Sequence, residues 1–212
     1  MTSFSEADVQ RLGLFWTLRL AGPLPVAVSP RILATFQRAD PQVAEELASA
    51  MGFADPTPVL RRFRQGRHCY VGRSEGRLVA YGWITFDEDV IGELGLRVRL
   101  LPAEAYIWDC ATLPAYRGLY LYPALLACVQ RELRDTGFQR IWIGMDADNL
   151  PSQAGVARAG FQHVIDILQV LNASARTFQA DPAPGALPED VLAAQYMLFG
   201  DREMSRITLH EP

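Results

Sequence analysis

Between Tyr106 and Phe161 the chain alternates extended and helical patterns in an order that leaves few ways to fold. Residues 106–113 form an apolar run with little polar alternation, as in a strand buried on both faces. After YRGLYLYPALL, the residues Leu121, Leu125, Val129 and Leu133 recur at helical spacing, and Gly137 stands where a left-handed residue ends a helix. Residues 140–145 read as a second strand. A strand, helix, strand unit of this length makes a right-handed parallel crossover, so the two strands run alongside one another with the helix against one face. Asn149 or Asp148 then caps a short helix ending at Gly160, and residues 161–171 form another strand.

The flanking segments read less sharply. Residues 14–20 (LFWTLRL) suit an opening strand, with helix left open by their continuous apolar character. Ser29 before Pro30 is a candidate N-cap, and helices are predicted over 30–37, 41–51 and 57–65. Residues 68–72 and 77–86 pattern as two strands joined through Ser74, Glu75 and Gly76, and 94–100 as a further strand. Residues 181–190 (DPAPGALPED) form a Pro-rich connector, followed by a helix over 188–199 stopped by Gly200 and a strand over 204–209. The division expected is a domain over 1–171 and a C-terminal extension over 172–212. That extension could dock on the same domain, cover a cleft, or exchange between copies in a homodimer.

Composition narrows the function classes. The 212 residues, half of them hydrophobic and 21% charged, suffice for one large domain or one domain with an appendage. All 20 basic residues are Arg and the net charge is -4, which argues against a nucleic-acid partner. The local cluster Arg61, Arg62, Arg64 and Arg67 reads as a solvated helix face. Cys69, Cys110 and Cys128 include no CxxC pair and have no His at ligand spacing, so neither a disulfide framework nor a zinc site is expected. His68, His163 and His210 are too scattered for a metal site. Residues 12–28 are interrupted by Arg19 and by Gly and Pro turns, so neither a signal peptide nor a membrane span is expected, and the cytoplasm is the expected compartment.

Arg117, Gly118, Leu119, Tyr120, Leu121 and Tyr122 run into a helix start, where backbone N–H groups have no intrahelical acceptor and the macrodipole favours an anion. With the central strand before it and the DNLPSQAGVARAGF helix after it, this run resembles the cofactor half of the GNAT superfamily of acyl-CoA-dependent N-acyltransferases. The resemblance covers 106–161 and reaches back through the hairpin to His68. It implies an α/β fold, a GNAT-type central mixed sheet flanked by helices on both faces, with the acyl-CoA where two parallel strands part. It further implies phosphate contacts from Arg117 to Tyr122 and pairing of the pantetheine amides with Thr112 and Leu113. An oxyanion-stabilising amide near Cys110, Ala111 or Thr112 follows in the same way, as do Asn149 beside the pantetheine arm and Ser152 near the sulfur.

The run departs from the family pattern of Arg or Gln, two residues, Gly, one residue, then Gly or Ala, because Tyr120 and Tyr122 fill both small positions. They either turn outward, leaving the amides to donate, or pack on the neighbouring helix and fill the pyrophosphate space. Val156 stands where many members carry an acid tyrosine, so Ser152 or a tyrosine from elsewhere would take that part. Asn149 also suits a plain cap. For the base, Asp109 lies in an apolar strand where burial would raise its pKa, and it suits equally a structural acceptor. Glu104 precedes the strand at about the spacing where some protein-acetylating relatives place a base. Cys110 reads as a small hydrophobe, and Trp83 and Trp108 as core or acceptor-pocket wall.

The function implied is transfer of an acetyl or other short acyl group from acetyl-CoA, or another acyl-CoA, to a primary amine of an unidentified small molecule. The amine would attack directly in a ternary complex without a metal. A protein or peptide acceptor, and a catalytically lapsed ligand-binding domain, are the alternatives.

Overall fold

The computed structural model describes residues 8–92, 94–172, 175–200 and 206–209. In chain order the strands are β1 (Asp8–Arg19), β2 (Thr35–Arg38), β3 (His68–Ser74), β4 (Arg77–Thr85), β5 (Glu88–Ile91), β6 (Leu96–Arg99), β7 (Glu104–Thr112), β8 (Arg140–Asp146), β9 (Gln162–Asn172), β10 (Ala175–Pro182) and β11 (Arg206–Leu209). The helices are α1 (Ala44–Ala50), α2 (Thr57–Arg64), α3 (Leu121–Asp135), α4 (Leu150–Arg158) and α5 (Pro188–Phe199). Among the described residues nine strands make one mixed sheet in the order β11-β10-β9-β1-β8-β7-β4-β3-β2, and β5 pairs with β6 as a separate hairpin.

The predicted crossover is present: β7 and β8 run parallel, joined by α3. Leu121, Leu125, Val129 and Leu133 bury the inner face of α3 against Tyr70, Ile84, Ile107 and Ile143. At its end Gly137 takes φ 91°, and the Phe138 amide donates to the Leu133 carbonyl at 2.9 Å. That bond spans the turn as in a Schellman closure, so the left-handed residue satisfies a carbonyl the helix leaves open.

Helices cover both faces of the sheet. α3 and α4 lie on one, where Val156, Ala159 and Phe161 join the α3 core. On the other, α1 and α2 cover Cys69, Val71, Leu78 and Trp83, while α5 buries Val191, Ala194, Met197 and Leu198 against Phe15, Trp142 and Ile165. The β5–β6 hairpin joins the second of these cores through Leu96 and Val98, which ties it to α5.

Several elements differ from the sequence reading. Residues 30–37 form no helix; Thr35–Arg38 pairs as a strand with β3, and Phe36 covers Gly72, where a Cβ would stand 2.8 Å from its ring. The preceding stretch has no regular structure: it leaves Val26 and Leu33 exposed and packs Leu24, Ile32 and Ala34 against the α3 core. The Pro-rich connector begins later than its composition suggested, because Ala175–Pro182 pairs with β9. Of the strand predicted over 204–209, Met204 and Ser205 lie outside the described residues, as does His210. β1 pairs with β8 on one side and β9 on the other, so a strand from early in the chain separates two from late in it.

Candidate functional site

Hydrogen-bonded pairing between β7 and β8 ends at Ile107 and Ile143, although β7 continues to Thr112 and β8 to Asp146. A bulge helps turn β7 away. Trp108 opposes Trp83 and Ala111 opposes Tyr81, leaving Asp109 and Cys110 against Gly82 alone. Asp109 takes φ 44°, in the left-handed region an L-residue enters at a cost, and such a bulge re-aims the side chains around it. The Cys110 sulfur then lies over Gly82, 2.7 Å from where a Cβ on that glycine would stand.

Two clefts open at this divergence. One, of about 550 Å³, is lined by Cys110 to Thr112, by Tyr116 to Gly118, by Tyr120 to Pro123 and by the outer face of α4, including Arg158. The other, of about 500 Å³, lies between β1, β7 and β8 under the β5–β6 hairpin, with Arg62, Asp89, Asp109 and Asp146 on its walls. Cys110, Tyr122, Asn149 and Ser152 line both.

The first cleft is floored by the start of α3. Among the described residues no backbone carbonyl accepts from the Gly118, Leu119 or Tyr120 amides. Tyr120 caps the helix at φ 58°, a conformation usually left to glycine, so its peptide groups aim as a glycine's would. Its ring lies between two cations: the Arg31 guanidinium stands 4.5 Å from the ring centre and donates to the hydroxyl at 3.1 Å, and Arg158 stands 5.6 Å from the ring. Arg117 folds back to donate to the Thr112 carbonyl at 3.3 Å.

Tyr122 points the other way. Its ring lies on α4 over Gly155, where a Cβ would come within 2.6 Å of Cδ1. The hydroxyl interacts with Ser152 and Cys110, and burial pushes the phenol well above the ordinary tyrosine range. Burial likewise pushes the Cys110 thiol up, so it stays protonated. Asn149 caps α4, its Oδ1 accepting from the Ser152 amide at 3.1 Å, which orients the side of α4 facing both clefts.

Asp109 does not sit buried within its strand. The bulge exposes it, and its carboxylate accepts from Arg62 at 2.6 Å. Arg62 is therefore no solvated residue: its guanidinium lies 4.5 Å from the Trp108 ring and 5.1 Å from Trp83. Arg67 also leaves the solvated face, pairing with Asp89 through two bonds of 2.9 and 3.0 Å, whereas Arg61 and Arg64 are exposed. Nearby, burial raises Tyr81 to about 12.

Glu104 is not brought to this place. It lies at the opposite end of β7, 6% exposed, accepting from Arg140 at 3.1 Å and from the Leu101 amide at 3.1 Å. Arg140 also pairs with Asp190, which binds Arg19, so Glu104 belongs to an ionic knot under the start of α5. Among the described residues no three His, Cys, Asp or Glu converge as a metal site, and no helix is long and apolar enough to cross a membrane. The sequence reading missed Arg31, Arg62, Asp146, Gly155 and Arg158. The signal for Gly155 was present: a glycine inside a helix, with a bulky residue at a position the resemblance expects to be small.

Residues 35–161 match the model of the acetyltransferase (GNAT) family. Among solved structures, the chain is similar to an acetyltransferase of the GNAT family from Colwellia psychrerythraea, with 15% identity, a TM-score of 0.55, 77% of this chain covered and 57% of the other. It is also similar to a GCN5-related N-acetyltransferase from Sphaerobacter thermophilus, with 15% identity, a TM-score of 0.54, 85% of this chain covered and 55% of the other. The chain thus spans little more than half the length of either. No curated protein matches it in sequence.

Proposed function

The chain belongs to the GNAT acetyltransferase family, and from that premise we propose that it transfers an acetyl group from acetyl-CoA to a primary amine of a small molecule. The observation that carries this reading is the meeting of two clefts at Cys110, Tyr122, Asn149 and Ser152, where β7 and β8 part. A thioester lying there would have its nucleotide end toward α3 and its acyl carbon toward the second cleft.

In this reading the unpartnered amides from Gly118 to Tyr120 and the first-turn amides of Leu121 and Tyr122 hold the pyrophosphate, as a helix start does for an anion. Arg117 and Arg158 add positive charge. Thr112 and Leu113 run beside the pantetheine arm with Asn149 across from them, and an amide between Cys110 and Thr112 stabilises the oxyanion. The amine attacks the carbonyl directly in the ternary complex. Asp109, on the wall of the second cleft, receives the proton shed by nitrogen, with Arg62 fixing its orientation. Glu104 is too far along β7 to share in this and keeps a structural part.

A small acceptor is favoured over an extended peptide because the β5–β6 hairpin roofs the second cleft at Asp89, Val90, Ile91, Gly92 and Leu94. α5, within the 172–212 extension read beyond the 1–171 domain, then buttresses that roof, since it packs on Leu96 and Val98. The free thiols of Cys69, Cys110 and Cys128 support a reducing, cytoplasmic setting.

Calorimetry with acetyl-CoA, followed by thiol release across a panel of amines and peptides, tests the reading. Binding with turnover of small amines is expected, and Asp109→Asn is expected to lower kcat about 10²-fold, as for loss of a positioned base. Absence of acetyl-CoA binding at millimolar concentration overturns the enzyme reading; turnover of peptides alone replaces the acceptor class.

A further inference from the structure

We propose that the second cleft selects an α-amino acid, its carboxylate taken by Arg62 and its amino group set beside Asp109. This rests on the acetyl-CoA reading above and names the acceptor class. Arg62 lines the cleft from α2, and Asp109 lines it from the bulge in β7. One terminal nitrogen of the guanidinium, Nη1, donates to Asp109 Oδ2. Among the described residues this is the only hydrogen bond of either side chain, so Arg62 Nε and Nη2 have no protein acceptor and Asp109 Oδ1 has no protein donor.

The open edge of Arg62 is built to be filled. Only 17% of the side chain is exposed, and N–H donors withdrawn from water without an acceptor are destabilising. The guanidinium carbon lies 4.5 Å from the Trp108 ring centre, 5.1 Å from Trp83 and 5.9 Å from Phe53. These rings hold the group in place and offer no acceptor in its plane. A carboxylate does, because its two oxygens match two parallel guanidinium N–H groups.

The pair also sets how far apart the charges of the ligand must be. Arg62 and Asp109 are in contact, so a cation and an anion lie side by side on the wall. In an α-amino acid the ammonium and carboxylate are carried by one carbon, so the carboxylate meets Arg62 while the nitrogen meets Asp109 Oδ1. The contact that selects the acceptor thus delivers its nitrogen to the base, and the ammonium offsets the second carboxylate brought to Arg62. Phe15, Ile91, Leu94 and Tyr106, on the other walls, leave apolar room for a side chain. Asp89 does not disturb this balance, since Arg67 already holds it through two bonds.

Thiol release measured with the common amino acids and with their amides isolates the carboxylate, because the amide keeps the shape and the amine. The native protein is expected to favour at least one acid over its amide by about 10–100-fold in kcat/KM, as for hydrogen bonds to a charged group. In Arg62→Gln acid and amide are expected to turn over alike, and Arg62→Lys, which keeps the charge without the fork, to restore only part of the preference. A guanidinium that did no more than orient Asp109 would slow both alike and leave their ratio intact. Calorimetry on the CoA-bound native protein needs no turnover: an N-acetyl amino acid is expected to bind about tenfold or more tightly than its amide. A native ratio near one, a ratio unchanged in Arg62→Gln, or turnover of diamines in preference to every amino acid overturns the assignment and leaves the acetyltransferase reading standing. The last result would move recognition to Asp146, exposed on the β8 wall of the cleft. Failure of acetyl-CoA to bind the native protein overturns both.

Discussion

Cys110 occupies the space that Gly82 leaves empty, with its sulfur 2.7 Å from where a Cβ on Gly82 would stand. The contact crosses the bulge that opens the clefts, so Gly82→Ala would press on the sulfur and on the backbone carrying it. Overpacking of this kind costs about 1–3 kcal/mol. Urea denaturation is expected to show that loss in Gly82→Ala and to show most of it recovered in Gly82→Ala/Cys110→Ala. Equal stability of the single variant and the parent would mean that the bulge yields freely.

Gly155→Ala tests the seat of Tyr122. Inside a helix the exchange normally stabilises by about 0.5–1 kcal/mol, but here the new methyl meets the Tyr122 ring at 2.6 Å. The variant is expected to stay folded, with its helical circular dichroism retained, while calorimetry shows weaker acetyl-CoA binding, because the displaced ring is a wall of both clefts. A stabilised variant with full activity would show that the ring can rest elsewhere.

Glu104 should behave as a structural residue. Glu104→Ala leaves Arg140 with half of its partners at a site that is only 18% exposed, and loss of one member of a buried pair costs about 3 kcal/mol. The midpoint of urea unfolding is expected to drop, while kcat/KM of the protein that remains folded is unchanged. A selective loss of kcat would return Glu104 to the chemistry.

His68 makes stability depend on pH. Its pKa is lowered from 6.5, first by burial and then by Arg38, so the folded state resists a proton that the unfolded chain accepts. Where the unfolded state binds more protons, stability rises with pH. The contribution is therefore complete above pH 6.5 and is lost as pH falls from there toward the lowered folded value. Thermal unfolding is expected to decline through that window in the native protein and to decline less in His68→Phe, which keeps a ring against Phe86. Parallel curves would remove His68 as the cause; Glu46, whose pKa is lowered from 4.5 by Arg73, loses its contribution only as pH falls below that value.

What could be read from the sequence was what is encoded locally. The helical spacing of Leu121 to Leu133, the stop at Gly137 and the cap at Asn149 each depend on neighbours within a turn, and each is present. β2 was misread because Phe36 finds its partner in Gly72, and no local rule announces that contact. Asp109 carries a left-handed backbone without glycine, so the bulge that exposes it left no trace in residue type. The opposite directions of Tyr120 and Tyr122 are set by Arg31 and Gly155, which lie before and after them in the chain.

The place of β1 has a consequence for how the molecule is made. Its Thr17 hydroxyl donates to Ile141, a residue 124 positions later, and strand pairings on both sides of β1 are as distant. At ribosomal rates the chain needs roughly 6–25 s to span those 124 positions, and until then β1 has neither neighbour. An apolar strand holding Leu14, Phe15 and Leu18 thus waits unpaired while the rest is synthesised, and closing so long a loop slows the search once its partners exist. β1, made before every other described strand, is among the last to be secured, and its apolar face stays uncovered until β8 and β9 exist to take it between them.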